Sequence, residues 1–246
     1  MMNNTTFYVG TSGWVYNHWK GTFYPEKLAK KRWFAYYAEL FRTVEVNATF
    51  YRSFPDSTYL KWRDQVGGGF RYVLKVPRLI THYKRLENCE EEIRAFWRSA
   101  RLLEDRLGMV LLQLSPNMPC DLERVKEALK TFGDPSRVAV EFRAECWGET
   151  PVRPLLEELG AAYVNVDSPH ERPPGWVTGP RAYIRLHGRG GMYTSDYSLE
   201  ALYETAATAR HLADQGAKEI YIFFNNDVGG HAPKNALSLQ EMLGDD

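Results

Sequence analysis

Three pairs of polar residues interrupt short apolar runs of this chain at a spacing of two: Glu45 with Asn47, Glu141 with Arg143, and Arg185 with His187. On an extended strand, residues two apart share a face, so each pair presents two functional groups to the same side. Glu45 and Glu141 form a candidate catalytic carboxylate pair. Two carboxylates in one pocket can be driven apart in pKa, so that one donates a proton and the other accepts it. That is the minimal equipment for glycoside hydrolysis, with the carboxylate separation selecting retention or inversion. Arg143, on the face of Glu141, would instead hold that carboxylate ionised. His187 is the third catalytic candidate, because an imidazole titrates near neutral pH, and Arg185 beside it offers a planar fork for an anion.

A wider set could hold a substrate. Lys75, Arg143 and Arg185, with the amides Asn47, Gln113, Asn225 and Asn226, suit a phosphate, a carboxylate or sugar hydroxyls. His82 is a second imidazole candidate; His18, His170, His211 and His231 are more weakly placed. Trp14, Tyr16, Trp19, Phe23 and Tyr24 would form either a stacking wall over the pocket or a hydrophobic clamp on the first connection. Arg189-Gly190-Gly191 reads as a flexible basic loop able to approach an anion. Glu45, Glu141, Asp167 and His187 could supply a mixed nitrogen and oxygen ligand set for zinc, manganese or magnesium. No HxH, HExxH or clustered-cysteine spacing supports that alternative, so no cofactor is expected.

The elements that must position these residues alternate along the whole chain. Strands are expected at Phe7 to Thr11, Val44 to Ala48, Arg71 to Val76, Met109 to Leu114, Val138 to Arg143, Tyr163 to Asp167, Ala182 to His187 and Ile220 to Asn225. Helices are expected near Leu28 to Phe41, Thr58 to Val66, Glu90 to Arg106, Leu122 to Phe132, Val152 to Leu159, Leu199 to Gln215 and Asn235 to Leu243. Ser168 to Pro180 holds four prolines and two glycines, so a loop stands where the helix after strand six would be. This pattern predicts an α/β fold, a single (β/α)8 TIM-type barrel over residues 1–246. A doubly wound sheet uses the same alternation but lacks a glycine-rich phosphate turn, and Gly67-Gly68-Gly69 precedes a strand instead of following one.

Within the strands, Val44 and Val46 oppose Glu45 and Asn47, and Val138, Val140 and Phe142 oppose Glu141 and Arg143. Val164 and Val166 oppose Asn165 and Asp167, Ile184 and Leu186 oppose Arg185 and His187, and Ile222 and Phe224 oppose Asn225. A barrel would turn the apolar parity to its helices and the polar parity to its interior. The polar side chains would then converge at the carboxyl ends of the strands, where barrel enzymes place their sites. A self-neutralising buried network of Glu45 and Glu141 with Arg143, Arg185 or Lys75 is the competing reading.

Composition sets the outer bounds. Of 246 residues, 44% are hydrophobic and 25% charged, an ordinary globular balance. Lys plus Arg equals Asp plus Glu at 31 each, which removes a global electrostatic case for nucleic acid or membrane but leaves room for a local basic patch. Cys89, Cys120 and Cys146 are scattered and odd in number, suiting a reducing compartment without a disulfide framework. Met1 to Thr6 lacks an apolar signal core, and no stretch approaches the roughly 20 apolar residues of a membrane span, so a cytoplasmic location is expected.

Several motifs together resemble a known family. They include Gly10-Thr-Ser-Gly-Trp14, Phe23-Tyr-Pro25, Thr43-Val-Glu-Val-Asn-Ala-Thr-Phe-Tyr-Arg52, Lys75-Val-Pro77 with Thr81-His82, and Leu112-Gln-Leu-Ser-Pro116. Val140-Glu-Phe-Arg143 with Trp147, Asp167-Ser168, Arg185-Leu-His-Gly188 and Phe224-Asn-Asn226 continue the pattern. The chain resembles the YecE-like proteins, also called domain of unknown function family 72. Ala48 departs from a frequent serine and Ser115 from a usual proline. The resemblance implies a TIM-barrel-like fold with these motifs at its functional end, adding Trp14, Tyr51, His82 and Asp167 to the expected substrate-binding residues. It implies no reaction. The expected function is therefore acid/base chemistry, hydrolytic or a related proton transfer, on a small anionic or sugar-like molecule. The alternatives are a metal-dependent phosphodiesterase or endonuclease-like barrel, with nucleic acid as partner, and a noncatalytic binding protein.

Overall fold

The computed structural model of the chain describes residues 5–244; the terminal reading of Met1 to Asn4 lies outside them. Eight parallel strands are ordered β1-β8-β7-β6-β5-β4-β3-β2 in one sheet. They are β1 Thr6–Thr11, β2 Thr43–Val46, β3 Arg71–Lys75, β4 Leu107–Gln113, β5 Val138–Glu141, β6 Ala162–Asp167, β7 Arg181–Leu186 and β8 Glu219–Phe224. The helices are α1 Trp33–Leu40, α2 Ala48–Tyr51, α3 Asp56–Asp64, α4 Glu90–Ala100, α5 Leu122–Thr131, α6 Val152–Leu159, α7 Leu199–Asp214 and α8 His231–Leu243. No helix connects β6 to β7. The barrel alternation and its missing helix are as the sequence predicts. Helix α4 ends earlier than its pattern suggests, because Glu104 takes a positive φ of 54° inside the segment.

The circle is almost closed between β1 and β2. Ser12 bridges Glu45, and the Gly13 amide donates to the Glu45 carbonyl at 2.8 Å. Lower in the seam a side chain replaces the ladder: the Tyr37 hydroxyl accepts from the Thr11 amide at 3.0 Å and donates to the Thr43 carbonyl at 3.0 Å. Gly10 is required at this close approach, since a Cβ there would lie 2.4 Å from the Thr43 carbonyl oxygen. Buried backbone polar groups need partners, and the tyrosine supplies them where the strands separate.

Side-chain parity divides the core into two layers. Val44, Val46, Leu74, Leu112, Val138, Val140, Ile184, Leu186, Ile222 and Phe224 pack outward among the helices. Tyr8, Val73, Met109, Leu111, Ala139, Val164, Val166, Tyr183, Tyr221 and Phe223 fill the barrel interior. Strand β6 reverses the expected parity, with Val164 and Val166 inside and Asn165 outside. The missing helix explains the reversal. Asn165 Oδ1 accepts from the Trp176 amide at 2.9 Å and Nδ2 donates to the Trp176 carbonyl at 3.0 Å. A polar side chain on the outer face thus satisfies the loop backbone that lies where an apolar helix would otherwise pack.

Cys120 and Cys146 form a disulfide, with Cα atoms 6.1 Å apart, while Cys89 is free and buried. Where no disulfide framework is expected from the sequence, the fold still forms this one bond, since it brings together two loops on the carboxyl side of β4 and β5. No helix among the described residues is long and apolar enough to cross a membrane.

Candidate functional site at the barrel mouth

Arg185 stands at the centre of the site. Only 1% of its surface is exposed. Its Nε and NH2 grip Glu45 at 3.0 and 2.7 Å, and its NH1 donates to Glu141 Oε2 at 2.8 Å. Tyr183 donates its hydroxyl to Glu45 Oε2 at 2.6 Å, and Gln113 donates to Glu141 Oε1 at 2.8 Å. Four strands, β2, β4, β5 and β7, thus close one polar layer above the apolar interior. Such charges survive burial because geometry and additional hydrogen bonds offset desolvation.

The electrostatic outcome differs from the expected split carboxylate pair. Burial pushes both carboxyls up, but the opposing pull of Arg185 prevails, leaving Glu45 below and Glu141 well below the usual carboxylate value. Both are therefore anions at neutral pH. A glycosidase-like division into acid and base does not arise, because one guanidinium lies between the two carboxylates and stabilises the ionised form of each. Arg185 has its fork occupied by protein carboxylates, so it positions those groups and is not free for a substrate anion.

His187, 2% exposed, ends the same face. Asn225 Nδ2 lies 3.1 Å from its Nδ1, so with the amide donating, the neutral ring carries its proton on Nε2. That Nε2 is buried and has no hydrogen-bond partner, although Glu141 Oε1 is 3.9 Å away. At 3.9 Å the contact is electrostatic and too long for a hydrogen bond. Burial lowers the imidazole pKa, Arg185 lowers it further and Glu141 opposes both, with a net downward direction. His187 is consequently a neutral donor near pH 7.

Beside His187 opens a cavity of about 640 Å³ whose wall includes Glu141, Arg143, Trp147, Ser168, Glu171, Trp176 and His187. Arg143 Nε lies 3.7 Å from Glu141 Oε1, and its side chain keeps 32% exposure, so unlike Arg185 it can meet a ligand. Burial and the Glu141 charge raise the Glu171 carboxyl, with Arg143 opposing. Sequence reasoning missed Glu171 and Trp176 as site residues. Their only signal was the proline-rich loop after β6, a long ordered connection of the kind that carries function.

The remaining expected residues divide. Lys75 is buried near the axis, its Nζ 4.2 Å from the Phe50 ring centroid, and His82 meets the same ring edge-on at 5.0 Å. Asn47 precedes α2 with its Oδ1 buried and unpartnered, whereas Tyr51 is exposed on the outer rim. Asn226 ties loops together through Ser195 and Asn235. Trp14 packs on Phe34 of α1 at 5.1 Å, while Trp19, Phe23 and Tyr24 pack on one another and the Tyr24 hydroxyl donates to the Trp14 carbonyl at 2.6 Å, clamping the first connection. Asp167 turns away from the cluster, taking up Arg189 at 2.8 Å and the Tyr197 hydroxyl at 3.1 Å. Arg189 also bonds Glu204, so its loop is engaged with the protein. With Asp167 turned aside, Glu45, Glu141, Asp167 and His187 do not converge as ligands, and no other three-residue set of metal-ligating side chains appears among the described residues.

These observations define a TIM-type barrel with a buried arginine–glutamate layer beneath an open, aromatic-walled cavity. Residues 8–246 match the model of the protein family of unknown function DUF72, and the chain belongs to that family. The UPF0759 protein YunF of Bacillus subtilis is 27% identical over 96% of this chain and 94% of its own length. The UPF0759 protein YecE of Escherichia coli is 35% identical across 44% of this chain and 40% of its own. A crystal structure of a DUF72 family protein from Thermotoga maritima superposes with a TM-score of 0.85 at 30% identity, covering 98% of this chain and 100% of that one.

Proposed function

We propose that this protein is an enzyme performing acid/base chemistry, hydrolytic or a related proton transfer, on a small molecule bearing an anionic group. The observation that carries the proposal is the buried, unpartnered Nε2 of His187 on the wall of a cavity that also presents Arg143. An unpaired polar atom in a low-dielectric site is costly, and a ligand oxygen accepting from Nε2 removes that cost. Arg143 anchors the anionic group, and the partly buried Trp176 offers apolar surface on the same wall for a sugar-like or other flat molecule.

With substrate bound, neutral His187 donates a hydrogen bond from Nε2 and polarises the reacting oxygen. A bound anion beside Nε2 raises the imidazole pKa, drawing the ring toward its cationic form and making it a proton donor near neutral pH. Rotation of the Asn225 amide then lets its oxygen accept from the protonated Nδ1. Glu141, held ionised by Arg185, stabilises that cation; Glu45 locks Arg185 in place. In the cytoplasm, where we place the protein, the Cys120–Cys146 bond would face reducing thiols.

The test is a thermal-shift screen of sugar phosphates, carboxylic acids and oligonucleotides, followed by product detection for each ligand that stabilises the protein. We expect a small anion to bind wild type, to lose most of its affinity for Arg143→Met, and to bind His187→Asn without turnover. Tight binding with no turnover of any ligand would favour a binding protein, and absence of any small-anion binding would refute the proposal. Elemental analysis and metal titration of the purified protein address the phosphodiesterase alternative separately.

A further inference from the structure

Lys75 is a charged group at the carboxyl end of the barrel that the proposed chemistry leaves unused. It ends β3 with 9% of its surface exposed, and its ammonium forms no ion pair or hydrogen bond with any described residue. Its ammonium lies over the face of Phe50, 4.2 Å from Nζ to the ring centroid. The charges around it come from several elements. Arg185 of β7 and Arg143 after β5 repel the ammonium, Glu45 of β2 and Glu141 of β5 attract it, and His82 from the turn after β3 stands near. Structural lysines usually hold a carboxylate in direct contact; this one feels Glu45 and Glu141 only at longer range.

We propose that Lys75 is a covalent amine, forming an imine with an aldehyde or ketone that bears an anionic group. Four features support the assignment: placement at the carboxyl end of a barrel strand, burial, an apolar ring against Nζ, and a polar network within electrostatic reach. Burial and the Arg185 charge lower the ammonium pKa to about 8, so about a tenth of the side chain is free amine at pH 7. The Nζ lone pair attacks the carbonyl carbon, and the C=O π pair moves to oxygen, which takes up the proton lost from nitrogen. Protonation of that hydroxyl releases water, and the nitrogen lone pair forms the C=N bond. The product is an iminium ion, which becomes the neutral imine by losing a proton to solvent. The net reaction consumes the amine and carbonyl and yields imine and one water. This inference names the substrate class for the mouth and rests on the proposed anion site.

The test is reductive trapping. The full-length protein is incubated with glyoxylate, pyruvate or dihydroxyacetone phosphate and sodium cyanoborohydride, then digested and mapped by mass spectrometry. A reduced adduct adds the mass of the carbonyl compound less one oxygen atom. We expect labelling at Lys75 about tenfold faster than at the exposed Lys234, rising with pH to a midpoint near the Lys75 pKa of about 8. Lys75→Met removes an unpaired buried charge and should fold with unchanged or higher Tm; it and Lys75→Arg should lose the fast-labelling peptide. Labelling of Lys75 no faster than Lys234 with all three probes would overturn the inference. Small anions that still bind wild type in the thermal-shift screen would then leave the anion site standing without the imine.

Discussion

Arg185→Met tests the electrostatic account most directly. Methionine keeps much of the side chain's length but deletes the cation held between Glu45 and Glu141. Left without it, each buried carboxylate must remain an uncompensated anion or take up a proton. Protonating one group of ordinary pKa 4.5 at pH 7 costs about 3.4 kcal/mol, so about 7 kcal/mol bounds the loss if both are neutralised. Gln113, Tyr183, Lys75 and Arg143 still stabilise some of the charge. The expected destabilisation is therefore about 3–5 kcal/mol, the usual cost of breaking a buried pair from one side. The pH dependence should reverse as well. In wild type both carboxyls lie below 4.5, so their stabilisation is present above that pH and is lost on acidification through the folded values. In the variant both rise above 4.5, so stability is retained in acid and lost as pH increases through the new values. Urea unfolding followed by tryptophan fluorescence at several pH values from about 3 to 8 measures both effects. A loss below about 1 kcal/mol at pH 7, or an unchanged pH trend, would refute the reasoning. The triple variant Glu45→Gln, Glu141→Gln, Arg185→Met should recover most of the loss, since no isolated charge remains.

Tyr37→Phe should cost about 1–3 kcal/mol and speed hydrogen exchange of the Thr11 amide, because the β1–β2 seam loses its bridging hydroxyl; unchanged exchange would remove that role. Cys146→Ser should lower stability by about 3.5 kcal/mol under non-reducing conditions, the chain-entropy value for a separation of 26 residues, and dithiothreitol should lower wild type similarly. The His187 ring should titrate below 6.5 by NMR. Its depressed folded pKa contributes stability that is lost as pH falls, so His187→Gln should flatten the stability slope between about pH 7 and 5; a ring titrating above 6.5 would contradict its neutral assignment.

The sequence by itself determined the alternation of strands and helices, the loop in place of a helix after β6, and the strand-end position of Glu45, Glu141, Arg185 and His187. Those features are encoded locally, in the period of apolar residues and in the clustered prolines of residues 168–180. Parity also located the inward face of β2, β5, β7 and β8. On β6 the same rule selected the wrong face, since whether an apolar helix or a polar loop backbone covers a strand is a tertiary fact. Only the folded chain decided that Arg185 belongs to Glu45, 140 residues away, and to Glu141, that Asp167 belongs to Arg189, and that Cys120 meets Cys146. Side-chain period shows which way a charge points along its own strand. Which opposite charge it meets depends on barrel closure, and that choice sets whether a glutamate can exchange a proton or remains an ion.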